Sequence, residues 1–442
     1  MSFCCAQCVK YSVCVDLAVD GRYRHGLRSM PGRDANESGR AATPLELLYD
    51  LTFVAAFGVA AGELAHGIVG GHPTAAIVSF VIAMSTVVWA WTNFTWFASA
   101  FDNDDWLFRV LTMIQMAGVL VLAIGLPPLF ASIERSEGVD GGLVVAGYVV
   151  IRVAVALQWA RAARGDPQYR RPALIYAVVV GVAQFGWILL ALSHLTVGPS
   201  LVVIGVLFII ESLGPVVAEA RGRANGGVTP WHPHHLAERY ALLTIIALGE
   251  TVMGTLSAAT QISALHGWTL DAVVVVAAGV AMSFALWWVY FLVPHGPALR
   301  ARRTKVVPWA YGHIVLFIGV AATGAGLHVV GNVYDPDHPV TVRTAVIAVA
   351  GPVLVLMLTR YLLHAWLISS LPPKVLLHLV VLTLPIIAII LASAGFPLWG
   401  CLLLTLACPI AVIMTHELGG WRTLDVQLAR FMETPAPSER KA

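Results

Sequence analysis

Trp106–Leu126, WLFRVLTMIQMAGVLVLAIGL, runs for 21 residues with a single charge, Arg109, on its first turn. A helix rises ~1.5 Å per residue and the hydrocarbon layer of a bilayer is ~30 Å thick, so a stretch of this length and apolarity reads as a membrane-crossing helix. It is entered through Asp102-Asn103-Asp104-Asp105 and ended by Pro127-Pro128. The same grammar recurs along the chain. Comparable stretches begin near Leu45, Pro73, Gly141, Pro172, Val197, Leu236, Thr269, Val307, Thr341, Val375 and Phe396, each running to a Gly, a Pro or a charge cluster. The expectation is an all-α polytopic bundle of about twelve transmembrane helices. Ten is the alternative, if the last pair or the segment near Gly141 is misread.

Composition agrees. Of 442 residues 58% are hydrophobic and 12% charged, and mean hydropathy is +0.79; soluble domains are ~25% charged. A net charge of +2 argues against nucleic acid as a partner, and the bilayer is the expected one. Four of six cysteines (Cys4, Cys5, Cys8, Cys14) crowd the first fourteen residues. Cys5-Ala-Gln-Cys8 has the spacing of half a zinc site, but no second pair follows, so no metal is expected. No cofactor motif is present, and the absence of a G-x-x-x-x-G-K-[ST] loop argues against an ATP-driven pump.

Lys and Arg favour cytoplasmic loops, and here they alternate cleanly. The loops around Gly70, Ala131, Thr196, Ser263, Asn332 and Gly395 hold only Arg135, with Arg343 just inside span ten. The other side holds the N-terminal arginines, Arg161, Arg164, Arg170, Arg171, Arg221, Arg223, Arg300, Arg302, Arg303, Lys305, Lys374 and the C-terminal Arg422, Arg430, Arg440 and Lys441. Both termini are thus expected in the cytoplasm, with the chain in the plasma membrane. The division expected is a disordered tail over 1–43, six-helix halves over 44–223 and 234–418, and a tail over 419–442. Met30, just ahead of PGRDANESGR, is an alternative translation start. YDLTFVAAFG (Tyr49–Gly58) echoes YALLTIIALG (Tyr240–Gly249), and AGVLVLAIGL (to Leu126) echoes IGVAATGAGL (to Leu327), at drifting offsets of 191 and 201. These echoes, with the tryptophan pairs Trp89/Trp91 and Trp287/Trp288, suggest a parallel 6+6 repeat, against chance matching in apolar sequence.

Ionisable groups inside a bilayer cost ~2.5–3.5 kcal/mol at a helix centre and are functional candidates by default. Arg152 lies deep in span four and needs an acid beside it, Glu211 of span six or Glu250 of span seven. These three are the candidate transport and proton site. Glu46 and Asp50 share a helical face, and Arg239 and Glu250 lie on one stripe of span seven without reaching one another. Glu46, Asp50, Asp105, Arg109, Glu238 and Arg239 all lie near span ends, where snorkelling anchors are the plainer reading. His313, Gln115 and Gln184 complete the polar inventory; His194, His266 and His295 read as inert loop-end residues. The aromatic runs Trp89–Phe97 and Trp287–Phe291 read as interfacial belts rather than pocket walls.

Four blocks resemble the low-temperature-requirement A (LtrA) family of bacterial membrane proteins: TPLELLYDLTFVAAFG from Thr43, FDNDDWLFRVLTMIQMAG from Phe101, HHLAERYALLTIIALGET from His234, and ALWWVYF from Ala285 with YGHIVLFIGVAATGAGL from Tyr311. The resemblance spans about residues 43–330. It implies a membrane protein and marks Glu46, Asp50, Asp105, Arg109, Glu238, Arg239, Glu250 and His313 as motif positions, without assigning a reaction.

The leading expectation is a secondary transporter of a small solute, proton-coupled, with Glu250 loading the proton and Arg152 binding an anionic group. The alternatives are a membrane-embedded enzyme acting on lipid, using Asp102, Asp104, Asp105 and Arg109 or His232, His234, His235 and Glu238, and a membrane sensor or assembly factor. Solute, coupling ion and oligomeric state are not legible in the sequence.

Overall fold

The computed structural model describes residues 27–433 except 137, 194, 225–226, 338–339 and 372–374. The cysteine-rich start, His194, Lys374 and the last nine residues lie outside the described residues. Among those described, all regular structure is helical, and twelve helices are long and apolar enough to cross a membrane: α1 Pro44–Val69, α2 Pro73–Phe101, α3 Trp106–Arg135, α4 Gly142–Gly165, α5 Arg170–Leu192, α6 Val197–Arg223, α7 Pro233–His266, α8 Leu270–Ala301, α9 Arg303–Tyr334, α10 Val342–Ile368, α11 Val375–Ser393 and α12 Leu398–Phe431. Each begins within four residues of its expected start, because the bilayer permits only a backbone that satisfies its own hydrogen bonds.

Local chemistry sets the starts. Pro44, Pro73 and Pro233 occupy first-turn positions, where a missing N–H is harmless. Thr43 and Glu46 form a reciprocal capping box. Asp105, Thr269 and Thr341 accept the amides of Phe108, Ala272 and Thr344. Breaks are equally local: α3 is interrupted at Gly125 ahead of Pro127-Pro128, and α12 bends over 416–420, where Gly419 has φ +115°.

α9 is the central column, with 83% of its apolar window buried against 22% for α6. It packs on α7, α10, α1 and α2. The crossing with α7 is made by glycine: a Cβ on Gly254 would stand 2.2 Å from the Gly324 carbonyl, and one on Gly324 2.6 Å from the Glu250 carbonyl. Such close backbone approach is how helices gain packing where lipid supplies no hydrophobic drive. Within 44–223 the main contacts run α1–α2, α1–α3, α3–α4, α4–α5 and α5–α6; within 234–433 they run α7–α8, α7–α9, α9–α10, α10–α11 and α11–α12, with α8 also packed on α12, whereas α2 makes no comparable contact with α6. Val178, Val182, Phe185, Leu189 and Leu192 of α5 are exposed, a stripe at helical spacing suited to acyl chains.

Residues 27–43 run along the ends of the helices on the face where α1 starts, called here the basic face. The amides of Arg28 and Gly32 donate to Asp105 and Asp166, Arg33 donates to the Asp102 carbonyl, and the Ala42 amide donates to Glu238 at 3.1 Å.

Candidate functional site

Arg152 and Glu211 meet in the middle of the first six helices, Arg152 Nη2 lying 3.2 Å from Glu211 Oε2, with both side chains essentially inaccessible. Of the two acids proposed from sequence, Glu211 is therefore the partner. Its carboxylate accepts four further hydrogen bonds, from Trp89 Nε1 (2.8 Å), the Tyr148 hydroxyl (2.5 Å), Gln184 Nε2 (2.9 Å) and Trp187 Nε1 (3.1 Å). A carboxylate offers about four lone-pair directions, and five donors are aimed at this one. Arg152 is less well served: its Nε and Nη1 are buried without a hydrogen bond, and its remaining contact is the face of Tyr148 at 5.5 Å.

Three cavities approach this pair from opposite ends. At the basic face a vestibule of about 850 Å³ is lined by Trp96, Tyr169, Glu219, Arg223, Trp231 and Arg303, among others. Below it a chamber of about 320 Å³ shares the Trp96 wall and ends on Trp89, between α2, α5, α6 and α9. From the other end a cavity of about 540 Å³ reaches Tyr148 and Trp187. Trp89, Tyr148 and Trp187 are all donors to Glu211, so lining residues of the spaces on the two sides meet at a single carboxylate.

A second buried set lies nearer the basic face. Arg239 on α7 bridges Glu46 Oε1 at 2.7 Å and Asp50 Oδ1 at 2.5 Å, both on α1. His235 Nε2 lies 3.1 Å from Glu46, and Trp91 Nε1 donates to Asp50 at 2.7 Å. Glu46 and Asp50 sit one turn apart as their spacing requires, and they converge on a cation rather than anchoring at the interface. One guanidinium against two carboxylates leaves the set neutral only when it holds one additional proton, on His235 or on an acid.

Glu250 stands apart. It is 6% exposed, rests against Gly58 of α1, where a Cβ would lie 3.2 Å from its Oε1, and has no hydrogen bond or ion pair among the described residues. His313 is fixed between the Trp309 carbonyl, 2.8 Å from Nδ1, and the Tyr290 hydroxyl, 3.2 Å from Nε2. His295, read as inert from sequence, accepts from Trp309 Nε1 at 3.1 Å in the same aromatic cluster.

The residues at the helix ends are paired off. Asp105 caps α3 and pairs with Arg161. Burial alone would raise its pKa, but hydrogen bonds from Arg161 and the amides of Phe108 and Arg28 outweigh burial and lower it to about 2. Arg109 forms an exposed pair with Asp104 at 2.7 Å, and Asp102 lies 3.4 Å from Arg40. His232, ahead of α7, is pushed toward its neutral form by burial; its Nε2 lies 2.9 Å from the Glu37 carbonyl. The aromatic runs divide. Trp89, Trp91, Phe94 and Phe97 are fully buried, against the belt reading, whereas Trp287 and Trp288 are each 46% exposed. α2 lies inside the bundle and α8 at its periphery. Sequence reasoning also passed over Glu219, buried and held by Tyr176 at 3.0 Å and by Thr229; its signal was an acid one turn ahead of Arg223.

Twelve hydrophobic helices enclosing paired buried charges define a polytopic α-helical membrane protein. The family described as "Bacterial low temperature requirement A protein (LtrA)" matches residues 41–412, and the chain belongs to it. The match extends past the four blocks into α12. Among curated proteins the chain is 28% identical over 360 residues, 77% of its length and 80% of the relative's, to the uncharacterized protein RA0937 of Rhizobium meliloti (strain 1021). No solved structure matches.

Proposed function

We propose that this protein is a secondary transporter of a small solute bearing an anionic group, in the plasma membrane, with its basic face and both termini in the cytoplasm. The observation that carries the reading is the convergence of cavities from opposite ends on the Arg152–Glu211 pair, as expected of an occluded transporter with its site near mid-depth. The unused Nε and Nη1 of Arg152 would take the solute's anionic group. The packing orders of the two sets of six helices agree in part, differing at the α8–α12 contact, and the part they share is what a 6+6 arrangement rests on. A proton is the coupling ion: Glu250 has no partner among the described residues, and the Arg239 set needs one proton to balance its charge.

Solid-supported-membrane recordings on purified protein in liposomes, with pH steps and a panel of carboxylates and phosphates, test this. Wild type should give solute-evoked currents. Trp89→Phe, which keeps an aromatic but smaller side chain and removes one donor to Glu211, should slow them several-fold, and Glu250→Gln should abolish the response to pH. A folded wild type that stays silent to every solute and pH step would remove the transport reading.

A further inference from the structure

The transport reading leaves one cavity of the second half unused. It is a partly open space between α8, α10, α11 and α12. Arg360 and His364 are one turn apart on α10 and so share a face; His378 is on the first turn of α11, and His416 at the bend of α12. All four line the cavity. Leu424, beyond the bend, closes one wall and is itself packed on Val293 and Ile368.

The chemistry of this lining is one-sided. One guanidinium and three imidazoles face the space, and among the described residues no carboxylate lines it. The acid beside it, Glu417, is half exposed and lies 3.4 Å from His416 Nδ1. Arg360 Nε, both ring nitrogens of His364 and Nδ1 of His378 are enclosed and have no hydrogen-bond partner, although His364 is 3% and His378 7% exposed. Buried polar groups are nearly always paired, and each left unpaired costs ~1–3 kcal/mol; several around one void point to a missing ligand. A metal does not fit. Among the described residues no three His, Cys, Asp or Glu are placed to hold one, and Arg360 would repel it.

We propose that this cavity binds a phosphate group. The Arg360 fork and imidazole N–H groups arriving from three helices match an anion with several acceptor oxygens. The site lies at the basic end of the bundle, within one to three turns of the ends of α10 and α11. Basic pockets between helices on that side suit lipid headgroups. The same chemistry would accept an anionic phospholipid headgroup or a free phosphate.

The test uses the full-length protein in nanodiscs. Native mass spectrometry after reconstitution in phosphatidylcholine with phosphatidylglycerol reads retained anionic lipid, and calorimetric titration in phosphatidylcholine alone, with inorganic phosphate, reads the free anion. Retention of one phosphatidylglycerol identifies a headgroup site, and a saturable phosphate isotherm a soluble-anion site; either supports the proposal. Arg360→Gln should weaken the positive signal at least tenfold. His364→Gln, milder and expected to fold should the first fail to, should weaken it several-fold. Neither signal in wild type, unchanged binding in His364→Gln, or a phosphate signal matched by chloride at equal concentration would overturn it.

Discussion

Arg152 on α4 and Arg360 on α10 stand in opposite electrostatic circumstances. Arg152 is paired with Glu211, which four other donors also hold; Arg360 faces three histidines and, among the described residues, no acid. Arg239 marks the other extreme, with two carboxylates and a histidine around one guanidinium. Burial alone therefore does not define the role of a membrane arginine. The carboxylates around each set its charge balance: Arg152 is matched by one, Arg239 is outnumbered by two, and Arg360 has none among the described residues lining its cavity.

Breaking the closed pair should have the largest effect. Glu211→Ala leaves Arg152 buried without a counter-charge and should cost ~3–5 kcal/mol of stability, seen as a steep fall in thermal midpoint in detergent. The double change Arg152→Met with Glu211→Leu should recover more than half of that; no recovery would mean that the charge was not the cause. Arg239→Lys should follow, at ~1–3 kcal/mol, because an ammonium cannot hold Glu46 and Asp50 in two directions as the guanidinium does. By contrast, Arg360→Leu should change the midpoint by less than ~1 kcal/mol in phosphate-free zwitterionic detergent, since it removes a charge with no carboxylate partner. A fall as large as that of Glu211→Ala would erase the contrast between the halves.

The smallest effect is expected outside the spans. The Asp105 carboxyl is held at about 2, below the ~3.9 of an unfolded chain. Its contribution to stability is therefore full above pH ~4 and is lost as pH falls through the folded value. Asp105→Asn keeps a competent cap but loses the Arg161 pair, so it should lower stability by ~1 kcal/mol or less at pH 7 and flatten the decline between pH ~4 and ~2. An unaltered acid limb would show that the pair is idle.

The candidate site was legible in part. The depth of Arg152 along an apolar helix announced the need for an acid, because an unpartnered arginine at that level is costly. Choosing Glu211 over Glu250 required the lateral packing of α4 on α5 and of α5 on α6, which no spacing within one helix encodes. The run Trp89–Phe97 was misread for a similar reason: its position along α2 placed it near an interface, but its burial depends on what surrounds α2. Arg360, His364, His378 and His416 are scattered over 57 residues and three helices, and only the RYLLH spacing on α10 hinted that two of them act together.

What the sequence determined by itself is what the bilayer enforces residue by residue: twelve helices, their starts to within four residues, and the expectation of orientation from the sorting of Lys and Arg, because span length and charge placement are one-dimensional quantities. Only the tertiary structure decided which buried charges meet, which aromatic faces turn inward, and where cavities form between helices. Those outcomes depend on helix rotation and neighbour choice, and in a medium as apolar as the side chains themselves these are fixed by close contacts such as Gly254 on Gly324 and by the pairing of charge, not by hydrophobicity.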